Sequence, residues 1–444
     1  MGLLENLKNI IGEARAEYES AVPGSYKTLL QSGKSAEAGL LVKGDNLKLM
    51  KHMSETGYDG RISLIYVDPP FFSKANYDAA IKIESDKVDG IPPIKLYAYH
   101  DTWENGMVDY LRMLCARFYM MRGLLAEDGC LWVHLDWHAS HYVKILLDEI
   151  FGEKNFINEI IWNYKSGGTS KKHFSRKHDT LLLYSKTGKY YFKPQFEKSY
   201  NRGFKPYRFK GVKEYKDDAG WYTMVNMKDV WNIDMVGRTS AERTGYVTQK
   251  PEALIARIVE SCSREGDLCA DFFGGSGTLA KVCGEMGRRW VSCDIGGLAF
   301  TESGKRLIKA GADFIALEQT GGIMEDARRS VKADISVRPM ELSGKSMLNV
   351  NLLSYDLDVK KIALDEESLK TVSRIIKADP LSLIDYWSAD FHFDGEVHKP
   401  EMIFYPGKDR KYSCEKIGSS FDAVSIHVAD VFGNNTFISE KIII

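Results

Sequence analysis

The feature that most constrains the fold is a short apolar run that ends in an acid, two prolines and two aromatic residues. Residues 62–67 are almost entirely apolar, which predicts a strand buried on both faces of a parallel sheet. The prolines within residues 68–72 exclude a helix there and hold the chain extended. Asp68 is therefore predicted to lie at the carboxyl end of a central strand, where open α/β sheets bind their ligands.

The residues after this strand are suited to holding an exocyclic amino group beside a planar ring. The Asp68 carboxylate can accept one N–H, and the carbonyl oxygen of Pro69 can accept a second. Pro70 stiffens the loop, and Phe71 offers an aromatic face for stacking. The alternative is a strand end that simply turns on its prolines, with Asp68 capping a neighbouring group.

A second unit of the chain has the order strand, glycine turn, helix, strand and acid. Residues 268–273 are predicted to be a strand, residues 274–278 (Gly-Gly-Ser-Gly-Thr) turn into a helix, and a strand over 290–293 ends at Asp294. Glycines let a ligand approach the backbone at the helix N-terminus, and an acid at this spacing can bind ribose hydroxyls. No Gly-Lys-Ser/Thr follows, so the turn is not a P-loop. Alone, this unit predicts only an adenosine-type ligand.

Apolar periodicity predicts the remaining elements. Helices are predicted over 3–19, 47–53, 107–126, 140–150, from 251 onward and near 364–377, and strands over 40–42, 130–135, 347–355, 401–405 and 423–432. Asp45 and Asn46 precede the helix predicted over 47–53, and either one can cap it; the alternative places Asp45 near a cofactor. His134, Asp136 and His138 follow at a spacing of two, which a strand end produces without any metal.

Composition excludes several classes of protein. The chain has 444 residues, which predicts two or three domains, and its formal net charge of −1 gives no overall nucleic-acid signature. Its seven cysteines are scattered without a C-x-x-C pair, which argues against a disulfide framework or a zinc site. The sequence contains no long apolar run and no signal-peptide core, so we expect a cytoplasmic protein without a membrane span or a metal site.

One segment departs from this neutral background. Residues 161–215 contain fourteen Lys and Arg against three Asp and Glu, and aromatic residues are interleaved with the basic ones. Such a local excess favours contact with a phosphate backbone. The residues predicted to bind DNA are Lys165, Lys171, Lys172, Arg176 and Lys177.

The two units together resemble the β-class DNA amino-methyltransferases that use S-adenosylmethionine. The catalytic tetrapeptide of that family is (D/N/S)-P-P-(Y/F/W), which residues 68–71 match, and residues 271–278 are similar to its cofactor loop. The turn at 44–46 and residues 245–252 most resemble the modification subunits of type III restriction systems and related adenine-specific enzymes. Phe71 replaces the commoner tyrosine, and the chain looks shorter than typical type III modification subunits.

The resemblance implies an α/β fold: a Rossmann-like, doubly wound methyltransferase sheet, permuted so that the catalytic half precedes the cofactor loop. The implied domains are an N-terminal helical extension (1–39), a catalytic half (40–154), an inserted target-recognition region (155–245), a cofactor-binding half (246–318) and a C-terminal α+β accessory domain (319–444).

The resemblance also implies the chemistry. The aspartate form of the tetrapeptide goes mostly with N6 of adenine, and N4 of cytosine is the alternative. The catalytic residues would be Asp68, Pro69, Pro70 and Phe71. The residues expected to bind S-adenosylmethionine are Asp45, Lys250, Pro251, Asp271, Phe272, Phe273, Gly274, Gly275, Ser276, Gly277, Thr278 and Asp294.

Double-stranded DNA is the partner that the resemblance implies, while a homodimer and a restriction subunit are left open. A nicotinamide-dependent oxidoreductase is the rival from another class. It would explain the glycine turn but would leave residues 68–71 without a role.

Overall fold

A computed structural model describes residues 3–35, 37–74, 76–166, 169–321, 329–340, 344–406 and 411–442. Within these ranges the α-helices, in chain order, are α1 Leu3–Ser20, α2 Asn46–Met53, α3 Met107–Leu124, α4 Ser140–Phe151, α5 Glu252–Cys262, α6 Thr278–Glu285, α7 Gly297–Lys309 and α8 Glu366–Ala378.

The strands of the same ranges are β1 Ser25–Ser32, β2 Gly39–Lys43, β3 Ile62–Val67, β4 Asn76–Ile81, β5 Ile94–His100, β6 Leu125–Leu135, β7 Phe156–Asn163, β8 His178–Ser185, β9 Phe196–Tyr200, β10 Glu214–Asp217, β11 Gly220–Asn226, β12 Val230–Asn232, β13 Leu268–Asp271, β14 Arg289–Asp294, β15 Phe314–Thr320, β16 Arg329–Met340, β17 Lys345–Leu357, β18 Ile384–Asp390, β19 Met402–Phe404, β20 Ser413–Gly418, β21 Ala423–Asp430 and β22 Asn435–Lys441.

The centre of the molecule is a mixed sheet with the strand order β1-β15-β2-β14-β13-β3-β6-β8-β7-β12. The six strands from β15 to β6 in this order run parallel to their neighbours, whereas β1 and β8 run antiparallel. The strands β3 and β13 are hydrogen-bonded neighbours although about two hundred residues separate them in the chain. Their carboxyl ends therefore lie side by side.

Helices cover both faces of this sheet, which is the doubly wound arrangement predicted from the sequence. On strand β3, Ile65 and Val67 pack into one core cluster, whereas Leu64 and Tyr66 pack into the other. The first cluster takes its helical residues from α1 to α4, and the second takes them from α5 to α7. Because a strand alternates its side chains between faces, an unbroken apolar run is required where both faces are buried.

Two parts of the chain differ from the sequence-based division. The helical extension expected over 1–39 also contains β1, which pairs with β15 at the sheet edge. Its sequence is largely polar and half-exposed, so it carried no apolar periodicity to reveal it. The region expected as an insertion at 155–245 contributes β7, β8 and β12 to the central sheet, and within it β9, β10 and β11 form a separate small sheet.

The C-terminal part is built from two further antiparallel sheets and α8, in agreement with an α+β arrangement. The sheets have the orders β16-β17-β20 and β19-β18-β21-β22. Their shared core also takes in Ile83, Ile94 and Leu96 from the segment that follows the acid–proline loop. The C-terminal part is thus packed against the segment that contains Ile83, Ile94 and Leu96, and the two share one hydrophobic core.

Two negative findings apply to the described ranges alone. No α-helix there is both long enough and apolar enough to cross a bilayer. No group of three or more His, Cys, Asp or Glu side chains is placed there so as to hold a metal ion. His134 and His138 point to different partners: His134 contacts Asp179, whereas His138 pairs with Asp136.

Two buried histidines in the C-terminal part predict a loss of stability in acid. Burial lowers the pKa of His427 to about 4 and the pKa of His398 well below its usual value. Near pH 6.5 these two histidines therefore bind protons in the unfolded chain but not in the folded chain. We expect the free energy of unfolding to fall as the pH drops from 6.5 toward 4, by up to about 1.4 kcal/mol per pH unit and histidine. Urea unfolding at pH 7.5 and 5.0 would measure this loss.

The matched variant carries His398→Gln and His427→Gln together, which removes both titrations and keeps hydrogen-bonding groups. Its loss of stability between the two pH values should be smaller than that of the native protein. An equal loss in both proteins would contradict the assignment to these histidines.

Candidate active site

A cavity of about 550 Å³ opens where the carboxyl ends of β3, β13 and β14 meet. Its walls include residues 68–71 after β3, residues 271–276 and Thr278 of the glycine turn, and Asp294 at the end of β14. The acid–proline loop and the glycine turn therefore enclose one space. This volume lies within the range of ordinary small-molecule sites.

Most of the residues expected at the site line this cavity. Those that do are Asp45, Asp68, Pro69, Pro70, Phe71, Lys250, Asp271, Phe272, Phe273, Gly274, Gly275, Ser276, Thr278 and Asp294. Pro251 and Gly277 are not among the lining residues and act through the backbone instead. Pro251 is the residue before α5, and its carbonyl accepts from Leu254 N at 3.1 Å. Gly277 is the N-cap of α6.

The two oxygens of Asp68 have different environments. Oδ2 forms an ion pair with Lys250 Nζ, which approaches from the strand-to-helix segment before α5. Oδ1 is buried and has no hydrogen-bond partner among the described residues. His134 Nδ1 lies 3.9 Å from this oxygen, beyond hydrogen-bond distance. A buried carboxylate oxygen without a donor is costly, so this atom is ready to accept an N–H from a bound molecule.

A buried hydrogen-bonded chain lies behind Asp68. Tyr66 and His134 meet at 2.9 Å, His134 Nε2 lies 3.1 Å from Asp179 Oδ2, and Tyr164 donates to Asp179 Oδ1 at 2.9 Å. Burial by itself would raise the pKa of Asp179, but the hydrogen bonds from His134 and Tyr164 and the charge of Lys250 bring it below its usual value. Asp179 therefore stays ionised and fixes the imidazole of His134 behind the site.

The Phe71 ring has His134 and Lys250 as neighbours. Its ring centroid is 5.7 Å from that of His134, with the rings tilted by 35°, and Lys250 Nζ is 5.3 Å from its centre. The ring is partly buried and contributes to the cavity wall. Phe71 and Asp68 therefore line the same cavity and have His134 and Lys250 as common neighbours.

Asp101 holds the loop that follows the acid–proline motif. Its carboxylate accepts from Phe72 N at 3.0 Å, and from the backbone and hydroxyl of Ser73 at 2.6 and 2.8 Å. Trp103 Nε1 adds a bond at 3.3 Å. Phe72 has a φ of 60°, a left-handed conformation that residues other than glycine seldom adopt. The completely buried Asp101 compensates for that strain and keeps the loop in place.

The glycine turn needs glycine at two places for different reasons. A Cβ at Gly274 would lie 2.3 Å from Ser292 Oγ, so only glycine lets the turn pack on β14. Gly277 has a φ of 69°, and a Cβ there would meet Ser303 Oγ at 2.8 Å. The turn is closed further by a hydrogen bond from Gly277 N to Gly274 O at 2.8 Å. The two glycines therefore let the turn pack closely against β14 and α7.

Two acids at the edge of the cavity also organise its backbone. Asp294 accepts from Gly275 N at 2.9 Å and from Gly296 N at 2.8 Å, and burial raises its pKa. Asp45 caps α2 by accepting from Lys48 N at 3.0 Å, and it also lines the cavity. The predicted helix cap at Asp45 is therefore confirmed, and its contact with a cofactor stays a prediction. Burial likewise raises the pKa of Asp271, which favours its uncharged form.

Several cavity residues were not among those expected at the site from the sequence. They are Asn46, Tyr66, Trp103, Met113, Arg117, Tyr246, Thr248, Ile255, Leu279, Ile295, Gly296 and Ala363. Arg117 is a buried guanidinium that donates to Asp45 at 3.3 Å from the middle of α3, where helical periodicity alone marks no function. Ala363 comes from the C-terminal part, so that part contributes directly to the cavity wall.

The residues predicted to bind DNA lie outside this cavity, on and near the same sheet edge. Lys165 and Lys177 line a second cavity, and Lys171 and Lys172 are exposed. The Arg176 guanidinium stacks 3.9 Å from the ring centre of Trp137. Trp137 lies two residues after the end of β6 and is 43% exposed. These side chains form a basic surface rather than a single pocket.

The fold and the cavity define an α/β protein with a nucleotide-type turn facing an acid–proline–aromatic loop. A family model described as DNA methylase matches residues 62–301, which is more than half of the chain. The chain belongs to this DNA methylase family. That membership argues against the nicotinamide-dependent oxidoreductase considered above.

Individual relatives are distant. The EcoPI Mod subunit of a type III restriction-modification enzyme, from Escherichia phage P1, is 29% identical over 204 residues, which is 40% of this chain and 30% of that protein. The DNA adenine methyltransferase YhdJ of Escherichia coli K12 is 23% identical over 309 residues, 66% of this chain and 93% of that protein. A crystal structure of an M1.HpyAVI–SAM complex is 16% identical over 60% of this chain and 98% of that one, with a TM-score of 0.39.

The chain spans less than a third of the length of the type III Mod subunits that it matches. The match to the DNA methylase family runs from β3 to α7 and contains both the acid–proline loop and the glycine turn.

Proposed function

We propose that this protein transfers the methyl group of S-adenosylmethionine to the N6 amino group of an adenine that has been turned out of double-stranded DNA. The observation that carries the proposal is that residues 68–71 and the glycine turn line one cavity. A base inside a duplex cannot reach such a cavity, so the target nucleotide has to leave the stack.

The residues present fit the cofactor. The turn at Gly274 and Gly275 offers bare backbone at the start of α6, and Asp294 lies where a ribose could bind. Each oxygen of Asp294 already accepts one backbone N–H and retains a lone pair for a hydroxyl. When bound, S-adenosylmethionine would supply an activated methyl group, so the protein needs neither a metal nor a covalent intermediate.

The chain's own groups would prepare the target nitrogen. Asp68 Oδ1 and the carbonyl of Pro69 would accept the two amino hydrogens, and Phe71 would stack on the base. These acceptors draw the amino group toward a pyramidal geometry and free the nitrogen lone pair. The lone pair would then accept the methyl group that bound S-adenosylmethionine supplies, and the electrons of the bond given up would stay on its sulfur. One amino proton is then released, with Asp68 as the nearest acceptor. Positioning and charge arrangement supply most of the rate.

The ion pair with Lys250 would hold the Asp68 carboxylate in place and leave its other oxygen for the base. The sequence predicted that Lys250 binds the cofactor. Its ion pair with Asp68 supports a position between the acid–proline loop and the glycine turn.

Adenine is proposed over cytosine for two reasons. The tetrapeptide starts with aspartate, and the match to a relative named as an adenine methyltransferase covers most of that relative's length. Sequencing of modified bases in DNA from cells with and without this protein tests the choice. N6-methyladenine at one recognition sequence is the expected result. Detection of N4-methylcytosine instead would make cytosine the target base. Unmodified DNA would contradict the proposal.

Further partners rest on the resemblance to Mod subunits alone. A restriction subunit and a second copy of the chain are the partners that such a resemblance supports. Light scattering of the purified protein and co-purification with the products of neighbouring genes would test them.

The basic segment is expected to dominate the salt dependence of DNA binding. Charge reversal at Lys171, Lys172 and Lys177 removes three cations from the proposed backbone contact. The logarithmic slope of affinity against salt should become shallower by roughly 1 to 3, since each lost phosphate contact changes it by about 0.9. Fluorescence anisotropy at several salt concentrations measures the slope. The control reverses the exposed Lys8, Lys360 and Lys377, and an equal slope in both triple variants would place the contact elsewhere.

Phe71 is expected to bind the extruded base by stacking. Phe71→Leu keeps an apolar side chain but removes the ring, and stacking on an aromatic residue is worth about 1–3 kcal/mol. We expect methyl transfer at limiting DNA to fall by about 5- to 100-fold, whereas the affinity for S-adenosylmethionine stays the same. Phe71→Tyr is the matched control, because it preserves the ring. Equal rates for the leucine and tyrosine variants would remove stacking from the account.

A further inference from the structure

A second cavity, of about 460 Å³, lies on the sheet away from the glycine turn. Its lining residues are Asn163, Tyr164, Lys165, Ser166, Lys177, Asn232 and Asp234. None of them lines the first cavity, so the methyl-transfer mechanism leaves this space without a role.

The position of this cavity relates it to the target base. Strand β7 ends at Asn163 and β12 ends at Asn232, and the two strands are parallel neighbours. Strand β7 is antiparallel to β8, which is antiparallel to β6, which is parallel to β3. The carboxyl ends of β7 and β12 therefore lie on the same edge of the sheet as Asp68. A DNA strand that delivers a base to Asp68 has to pass along this edge.

The two asparagines present a paired donor and acceptor. Asn163 Nδ2 donates to Asn232 Oδ1 at 2.6 Å. This leaves the Asn163 carbonyl oxygen and the Asn232 amide nitrogen without a hydrogen-bond partner in the part of the chain that the structure describes. Exchanging the oxygen and nitrogen positions of both amides would still leave one donor and one acceptor. Adjacent donor and acceptor groups match the edge of a base, as asparagine matches N6 and N7 of adenine.

Cations at the cavity supply the complementary contact to a phosphate. Lys177 Nζ is held by Ser166, through its carbonyl oxygen at 2.8 Å and its hydroxyl at 2.9 Å. The Lys165 side chain is 92% exposed, and its Nζ lies 3.9 Å from Asp234 Oδ2. Such an exposed ion pair is weak, so a phosphate could replace Asp234 as the partner of Lys165.

The cavity is also mechanically connected to the catalytic loop. Tyr164 forms part of its wall and donates to Asp179, which contacts His134 behind Asp68. Part of the wall of the second cavity is thus tied to the residues behind Asp68.

We propose that the second cavity is a subsite for a nucleotide adjacent to the target base in the same recognition sequence. Asn163 and Asn232 read the edge of that base, and Lys165 and Lys177 contact its phosphate. This inference rests on the proposed DNA methylation and adds the element that selects a flanking base.

The test uses the full chain and a plasmid library in which the bases around the methylated position are randomised. Methylation frequencies are compared for the native protein, Asn163→Ala, Asn232→Ala and the double variant. The variants should lose discrimination at one flanking position by about 5- to 100-fold, whereas the other positions keep their preference. Asn351→Ala, an exposed asparagine on β17, is the control and should leave the pattern unchanged.

Two results would contradict the inference and can be told apart. If the native protein methylates DNA and the asparagine variants show its full pattern, the subsite is wrong and the proposed function stands. If the native protein methylates no member of the library, the proposed function fails and the subsite fails with it. A thermal unfolding midpoint equal to that of the native protein shows that an altered pattern does not come from partial unfolding.

Discussion

Asp68→Ala is expected to reduce methyl transfer by about 1,000-fold or more, because it removes the acceptor that would hold and polarise the target amino group. The buried, unpartnered Oδ1 is the structural basis for this expectation. Asp68→Asn retains one carbonyl acceptor and should lose less. Filter-binding assays with labelled S-adenosylmethionine and DNA would measure transfer under single-turnover conditions.

The interpretation of this variant depends on the cofactor pocket remaining intact. Removal of the carboxylate leaves Lys250 without its ion-pair partner, so the thermal midpoint has to be compared as well. The affinity for S-adenosylmethionine should change by no more than a few-fold. Asp356→Asn, an exposed acid on β17, is the control and should behave like the native protein. Retained transfer in a folded Asp68→Ala protein would exclude Asp68 from the chemistry.

Asp294→Ala is expected to weaken the binding of S-adenosylmethionine by about 100-fold, because hydrogen bonds to a charged group contribute about 1.5–3 kcal/mol. The same carboxylate fixes Gly275 and Gly296 in the surrounding backbone, so its loss also loosens the glycine turn. Isothermal titration without DNA measures this effect separately from catalysis.

The two variants should therefore separate the halves of the cavity. Asp294→Ala loses cofactor affinity, whereas Asp68→Ala loses transfer at saturating cofactor. Unchanged cofactor affinity in Asp294→Ala would mean that the ligand does not bind beside β14.

The parts of the fold that sequence could reveal are those where burial imposes a pattern. The unbroken apolar run of β3 required both faces of the sheet to be covered, and both are. The strand β1 could not be found in this way, because its largely polar residues are stabilised by pairing with β15 rather than by their own periodicity. The same applies to β12, whose three residues gain their place from β7.

The site shows the same division. Asp68 and the glycine turn were visible because proline restricts the backbone, whereas glycine permits conformations that other residues avoid, and both leave a recognisable pattern. Arg117 and Asp101 were not, since each acts through contacts with residues distant in the sequence: Arg117 with Asp45, and Asp101 with the loop at Phe72. The position of Lys250 on Asp68, rather than in the cofactor half alone, likewise depends on tertiary packing that joins residues 182 apart.

The central claim is that the acid–proline loop and the glycine turn serve one reaction. Mass spectrometry of DNA nucleosides, after incubation with S-adenosylmethionine carrying a deuterated methyl group, tests it most directly. The account predicts N6-(trideuteriomethyl)adenine with the native protein and its loss in both Asp68→Ala and Asp294→Ala at limiting cofactor. A label that persists in either folded variant, or DNA that remains unlabelled with the native protein, would contradict it.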